Sequence, residues 1–184
     1  MAYARRMLGV EQALQALRSA PLHRFSDWPN PGAPSVTAGV YSIWDGRELI
    51  YVGMSGRSAT EESLGHAKMR GRAWGLRTRL HSHWSGRRSG DQFVVYVADR
   101  LVLPTLTRAQ VKAIAAGEHS MDALCRAYIH ERLAYRYACV ANGTTAFEVE
   151  KRARSGALGP FPALNPLHST GTRRARPRTA LPQY

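Results

Sequence analysis

The chain is poor in lysine, cysteine, acidic side chains and long apolar runs. Its only cysteines, Cys125 and Cys139, have no metal-ligand spacing, and no histidines are patterned around them. They read as reduced structural residues, which excludes a disulfide framework and argues against a zinc site. No apolar run approaches the ~20 residues needed to span a bilayer. The opening residues, Met1 to Arg6, lack the apolar stretch of a secretory signal, so the expected location is cytoplasmic and no membrane partner is expected. Lysine is confined to Lys68, Lys112 and Lys151.

What the chain has in surplus is arginine. Lysine and arginine total 26 against 13 acidic residues, a formal net charge of +13. A GC-rich genome explains arginine in place of lysine but not the excess of positive over negative charge. That excess favours a polyanionic partner, through attraction and counterion release, and arginine adds forked contacts to phosphate. Hydrophobic residues make up 44% of 184 residues, enough for one globular domain with a real core and too few for two comfortable ones.

Periodicity predicts an amphipathic helix over residues 7–19 (Met7, Leu8, Val10, Ala13, Leu14, Leu17), then a proline-rich loop over 21–37 with Trp28 available to pin it. Asp45-Gly46, flanked by alternating apolar residues, predicts a hairpin. With a three-residue loop Asp45–Arg47, Tyr41 would face Tyr51 and Val40 would face Val52, both phenols leaving the same side of the sheet. Residues 54–75, rich in Gly, Ser and Arg, read as a polar insertion that either contacts nucleic acid or is a disordered surface loop. A helix follows from about Trp74 to Trp84, with Leu76, Leu80 and Trp84 as its buried stripe and Arg79 and His83 on a neighbouring face. Arg77 and His81 lie off that face.

The run Phe93–Ala98 reads as a buried strand. Thr107 and Ser120 are candidate caps for helices over 108–116 and 121–132. Residues 135–140 read as a further strand, with Tyr135, Tyr137 and Cys139 on one face. Thr144 or Thr145 is expected to cap a helix over 146–154 that Gly156 ends. From His168 the chain is polar and arginine-rich, a flexible basic tail that either holds nucleic acid non-specifically or only solubilises. The expected organisation is an N-terminal helix and loop (1–37), a central domain (38–167) and this tail (168–184). The expected fold is α/β of the α+β kind, a small mixed or antiparallel sheet flanked by helices.

Gly39-Val40-Tyr41 and Tyr51-Val52-Gly53 resemble the two half-motifs that name the GIY-YIG nuclease superfamily. Residues 76–83, with Arg79 and His83, resemble its first helix. Val149-Glu150 and Leu164-Asn165 resemble its metal-binding glutamate and terminal asparagine. The resemblance spans roughly residues 38–167. Its departures are valine at the centre of both half-motifs, the long insertion before the Arg79 helix, and two extra helices between the later strands. Of 93–98 and 135–140, the strand leading into the glutamate helix is taken as the family's third.

The resemblance implies a metal-dependent DNA endonuclease. Glu150 would be the sole protein ligand of one Mg²⁺ or Mn²⁺, with water and phosphate completing its shell. Arg79 would contact the scissile phosphate, Tyr41 would serve as general base or position the attacking water, and Tyr51 would orient water or phosphate. His83 would relay a proton or bind phosphate, and Asn165 would fix the geometry. Glu148 competes with Glu150, but Val149 and the spacing to Asn165 fit Glu150 better, and Glu148 is placed to pair with Arg152 one turn on. Arg57, Arg70, Arg72, Arg77, Arg87 and Arg88 are the candidate nucleic-acid contacts. Alternatives on the same residues are an RNA or single-strand nuclease, a restriction or defence enzyme, a non-catalytic nucleic-acid-binding protein, and a basic structural protein of ribosome or chromosome. Phosphate contacts alone carry no sequence information that would separate them. No feature points to an oligomeric state.

Overall fold

The computed structural model describes residues 7–166; the basic-tail reading for 168–184 lies outside them. The fold is α+β, as expected. Helix α1 (Val10–Ser19) leads to a two-residue strand β1 (His23–Arg24), then the long hairpin β2 (Val36–Asp45) and β3 (Glu48–Ser55). Next come α2 (Glu61–Met69), a short strand β4 (Trp74–Gly75), α3 (Leu76–Ser85), α4 (Gln92–Val97), α5 (Arg108–Ala115), α6 (Met121–Arg132), β5 (Leu133–Val140) and α7 (Gly143–Arg152). The sheet runs β1-β5-β2-β3, antiparallel throughout, with β4 parallel to the start of β2.

The centre of the sheet is β2, and its side chains alternate between two apolar layers. Val36, Ala38 and Val40 pack with α1, α2 and α7, through Leu14, Leu17, Leu64, Ala146 and Val149. Tyr41 and Ile43 pack on the other side with α3, α4 and α6, through Leu76, Leu80, Phe93, Val97 and Ile129. The result is a three-layer arrangement, the period-two pattern of a strand buried on both faces. Helix α1 starts at Val10 rather than residue 7, because Leu8 donates its N–H to the Cys139 carbonyl at 2.9 Å and extends alongside β5. The cysteines are both buried and unpaired. Among the described residues, no helix is long and apolar enough to cross a membrane.

Three elements differ from expectation. The run at 93–98 is helical rather than a strand. Buried Phe93, Val94, Val97 and Ala98 follow helical spacing, with Val95 and Tyr96 only half-buried. A short apolar run is ambiguous between helix and strand by composition alone, and here Asp91 starts a helix by accepting the Phe93 N–H. The 54–75 stretch is not a loop throughout: β3 continues to Ser55, and Thr60 with Ser63 forms a capping box that starts α2. Helix α7 starts earlier, at Gly143, capped by Asn142 rather than by a threonine, and winds into a wider turn over 153–157. Thr107 and Ser120 cap α5 and α6 as expected.

The hairpin register also differs. The loop holds two residues, Gly46-Arg47, with Gly46 at φ 59°, a left-handed conformation that suits glycine. Tyr41 pairs with Gly53, not Tyr51, and Ile43 pairs with Tyr51. The shift is two residues, so both tyrosines keep one face. A bulge follows, in which Ile50 is the extra residue. It turns Ile50 and Tyr51 into the same apolar layer, the re-aiming that bulges produce beside functional sites.

Candidate active site

The site forms where the Tyr41–Tyr51 face of the hairpin meets α3 and the end of α7. The two rings lie 6.4 Å apart, centre to centre. Gly53 makes this possible: a Cβ there would fall 2.6 Å from Tyr41 Cζ and 2.9 Å from Tyr51 Cε1. Glycine is therefore required by the close approach of the phenols, not by a turn.

Helix α3 supplies Arg79 and His83. Leu76 and Leu80 are fully buried and anchor it, while Trp84, expected in that stripe, is half-buried and stacks between His81 and His130. Trp28 does pin its loop, placing Nε1 3.2 Å from His81 Nδ1. One residue round from Trp84, His83 is buried, and its Nε2 lies 2.8 Å from the Tyr41 hydroxyl. Its Nδ1 lies 2.6 Å from Asp91 Oδ2. Tyr41, His83 and Asp91 thus form a continuous hydrogen-bonded chain, buried at every member. Arg79 is exposed above it.

The electrostatics follow from burial. Burial pushes the Tyr41 phenol well above its ordinary value, reinforced by Tyr51 and opposed by Arg79. Arg79 alone does not favour the phenolate, so Tyr41 carries its proton in this state. Tyr51, less deeply placed, is pushed up to about 12 by burial and then by Glu150, with Arg79 and Arg154 opposing. Burial lowers His83 despite its carboxylate partner, so the imidazole is neutral at neutral pH. For Asp91, burial raises the carboxyl, but the hydrogen bond and charge of His83 outweigh it, helped by Ser82 and Arg79, and the net direction is down.

Glu150 projects from α7 toward the phenols and is largely buried, whereas Glu148 is exposed. The expected Glu148–Arg152 pair does not form. Arg152 instead reaches across to Glu11 of α1 at 2.5 Å, because α1 packs directly on α7. It is Glu150 that pairs one turn along its own helix, with Arg154 at 3.7 Å. Arg154 also donates to the Pro166 carbonyl at 3.0 Å.

Asn165 stands behind the hairpin rather than beside the two phenols. Its Oδ1 accepts the Val52 N–H at 2.7 Å and its Nδ2 donates to the Val52 carbonyl at 2.9 Å. Ala163 and Leu164 donate to Leu49 and Ile50 beside it. The segment 163–165 thus closes the outer edge of β3 and holds Tyr51 and Gly53 in place.

Tyr41, Tyr51, Arg79, His83 and Glu150 therefore share one site, and Asn165 supports it. The chain matches no protein-family model, no curated protein and no solved structure. The chemistry rests on these groups themselves.

Two members have no counterpart in the sequence reading, Asp91 and Arg154. Asp91 was legible in principle as an aspartate after Ser-Gly and before an apolar run, the position of a helix cap. Arg154 is the last residue of the helix expected over 146–154, and its place one turn after Glu150 is the signal that could have found it.

The candidate nucleic-acid contacts are spread more widely. Arg57 lies over the Phe147 ring at 4.9 Å, beside the start of α7. Arg70 and Arg72 are exposed just after α2, and Arg77 is partly exposed on α3. Arg87 and Arg88 follow α3, and Arg88 is tied to Asp122 at 2.6 Å.

Among the described residues, no three His, Cys, Asp or Glu side chains converge as a ligand cluster. The ring nitrogens of His83 are both taken up, by Tyr41 and by Asp91, which leaves oxygen donors, the Glu150 carboxylate beside two phenols. That fits a largely hydrated Mg²⁺ or Mn²⁺ held through a single carboxylate, and it does not fit a cation caged wholly by protein.

Proposed function

We propose that this protein is a metal-dependent endonuclease that hydrolyses phosphodiester bonds in DNA, acting in the cytoplasm by the GIY-YIG chemistry its motifs resemble. The observation that carries the proposal is the buried Tyr41–His83 hydrogen bond, set beside Tyr51, Arg79 and Glu150. The net charge of +13 supplies the affinity for a polyanion.

Phosphodiester hydrolysis needs an in-line water, a proton acceptor, and positive charge on the phosphate. Arg79, exposed above the phenols, contacts the scissile phosphate. Tyr51 orients the phosphate or the attacking water. Burial keeps Tyr41 protonated at rest, so it acts in a coupled step: as it takes the water's proton, its own proton passes to Nε2 of neutral His83. The water oxygen bonds phosphorus, the bond to the 3′-oxygen breaks, and the departing oxygen takes a proton from solvent. Glu150 would hold the divalent cation, whose bound form supplies Lewis-acid stabilisation of the leaving oxygen.

Cleavage of supercoiled plasmid, a single-stranded circle and a structured RNA, each with Mg²⁺, Mn²⁺ or chelator, tests this. The expected result is metal-dependent cutting of DNA that falls at least about 100-fold with Glu150→Gln and is unchanged with Glu148→Gln. Preference for the RNA or for the single-stranded circle would replace the substrate class. Tight binding with no cutting under any of these conditions would replace the enzyme reading with a nucleic-acid-binding one.

A further inference from the structure

The geometry points to Asp91 as a positioning residue that fixes His83 in the Nδ1–H tautomer and so leaves Nε2 to accept the proton of Tyr41. A carboxylate is an acceptor only, and Asp91 Oδ2 lies 2.6 Å from Nδ1. Nδ1 must therefore carry a hydrogen. In a neutral imidazole the other nitrogen is then an acceptor, and it lies 2.8 Å from the Tyr41 hydroxyl. The direction of the whole chain follows: Tyr41 donates to His83, and His83 donates to Asp91. When the Tyr41 proton moves to Nε2, the imidazolium that forms is already paired with a buried anion. This is the logic of a hydrolase triad with a phenol in place of a hydroxyl or thiol.

A competing account makes Asp91 only the cap of α4. Its Oδ1 accepts the Phe93 N–H at 3.1 Å, so the two roles use different oxygens and can be separated. Asparagine caps helices about as well as aspartate. In Asp91→Asn the side-chain oxygen keeps the cap while its amide hydrogens face Nδ1. Nδ1 must then accept, Nε2 becomes the N–H, and Tyr41 loses its proton acceptor. Serine keeps a cap but is too short to reach Nδ1, so Asp91→Ser releases the ring rather than inverting it.

The tautomer does not depend on the nuclease reading; its bearing on catalysis does. The experiment is therefore ¹⁵N–¹H multiple-bond NMR of the His83 ring at neutral pH in wild type, Asp91→Asn and Asp91→Ser. The unfolding midpoint is measured alongside, and kcat and KM are measured on whichever substrate wild type cleaves. The expected result is Nδ1–H in wild type, Nε2–H in Asp91→Asn and a mixture in Asp91→Ser. A fall in kcat of about 10²- to 10⁴-fold with KM little changed should accompany the Asn variant. Wild-type His83 found as Nε2–H or as imidazolium would overturn the inference, as would a tautomer unmoved in the folded variants. An inverted tautomer with undiminished kcat would overturn its bearing on catalysis. A wild type that cleaves nothing would sink the nuclease reading, and the NMR result would still decide the tautomer.

Discussion

Asn165→Ala should destabilise the protein by about 2–4 kcal/mol, although the residue lies at the end of the described chain and touches no reacting group. Its side chain makes two hydrogen bonds, both to the backbone of Val52. Val52 is fully buried. A buried hydrogen bond contributes about 0.5–1.5 kcal/mol net, and a buried donor or acceptor left without a partner costs about 1–3 kcal/mol. Removing both bonds leaves two backbone groups unpaired, a loss of about 2–6 kcal/mol if nothing replaced them. Asn165 is itself 8% exposed, so water entering the gap recovers part of the loss. For a chain of this length the loss corresponds to about 5–15 °C in Tm. Urea unfolding measures the global loss, and amide exchange at Val52 reports whether the effect starts at the strand edge. Asn165→Asp separates donor from acceptor. It still receives the Val52 N–H but sets a carboxylate oxygen against the Val52 carbonyl, so it should recover stability relative to Asn165→Ala only when acid protonates it. If Asn165→Ala shifts stability by less than about 0.5 kcal/mol and leaves Val52 exchange unchanged, the edge-closing account is wrong.

Gly53→Ala forces a methyl into the space between the phenols, and overpacking of this kind costs about 1–3 kcal/mol. It should reduce cleavage beyond what the stability loss explains, because Tyr41 must move away from His83; a fully active, fully stable variant would contradict the close-approach argument. Stability should also fall as pH drops below neutrality. His83 has an ordinary pKa of 6.5 and is held lower by burial. The unfolded chain therefore binds the extra proton first, and stability is complete above 6.5 and lost as pH falls toward the folded value, by at most about 1.4 kcal/mol per pH unit. His23 is lowered in the same direction, so His83→Gln should remove only part of the slope in urea midpoints between pH 7 and pH 5, and an unchanged slope would count against the buried neutral imidazole. Asp91, lowered from 3.8, adds a second loss that begins only below its unfolded value.

The parts legible in the sequence are those with a local cause. Asp45-Gly46 marks the hairpin, Thr107 and Ser120 mark two helix starts, and the helix over 121–132 is found within its observed bounds. The site residues were legible through the motif resemblance instead, and the structure brings five of them together from the hairpin, α3 and α7. What escaped depends on packing between elements. The bulge at Ile50 has no sequence signature, yet it sets the register, so Tyr41 meets Gly53 instead of Tyr51. Phe93 to Ala98 is apolar enough for either strand or helix, and the layer formed by α3 and α6 decides it. Asp91 shares that ambiguity: its position suits a helix cap, but a strand over 93–98 would call for none. Arg152 reached Glu11 because α1 lies against α7, a contact 141 residues apart in sequence.

The closure of β3 by 163–165 bears on when the site forms during synthesis. Asn165 and Val52 are 113 residues apart, and Leu8 meets the Cys139 carbonyl across a comparable span. Long-range contacts of this kind form slowly, since the intervening loop must close before any contact rewards it. On a ribosome the hairpin and α3 emerge with the tyrosines, Arg79 and His83 already made, but the strand that carries Tyr51 has no outer partner. The outer edge of β3 is closed only after the segment 163–165 docks. On the proposed function, a partly synthesised chain that already bears Tyr41, Tyr51, Arg79 and His83 would therefore stay inert until the segment 163–165 arrives.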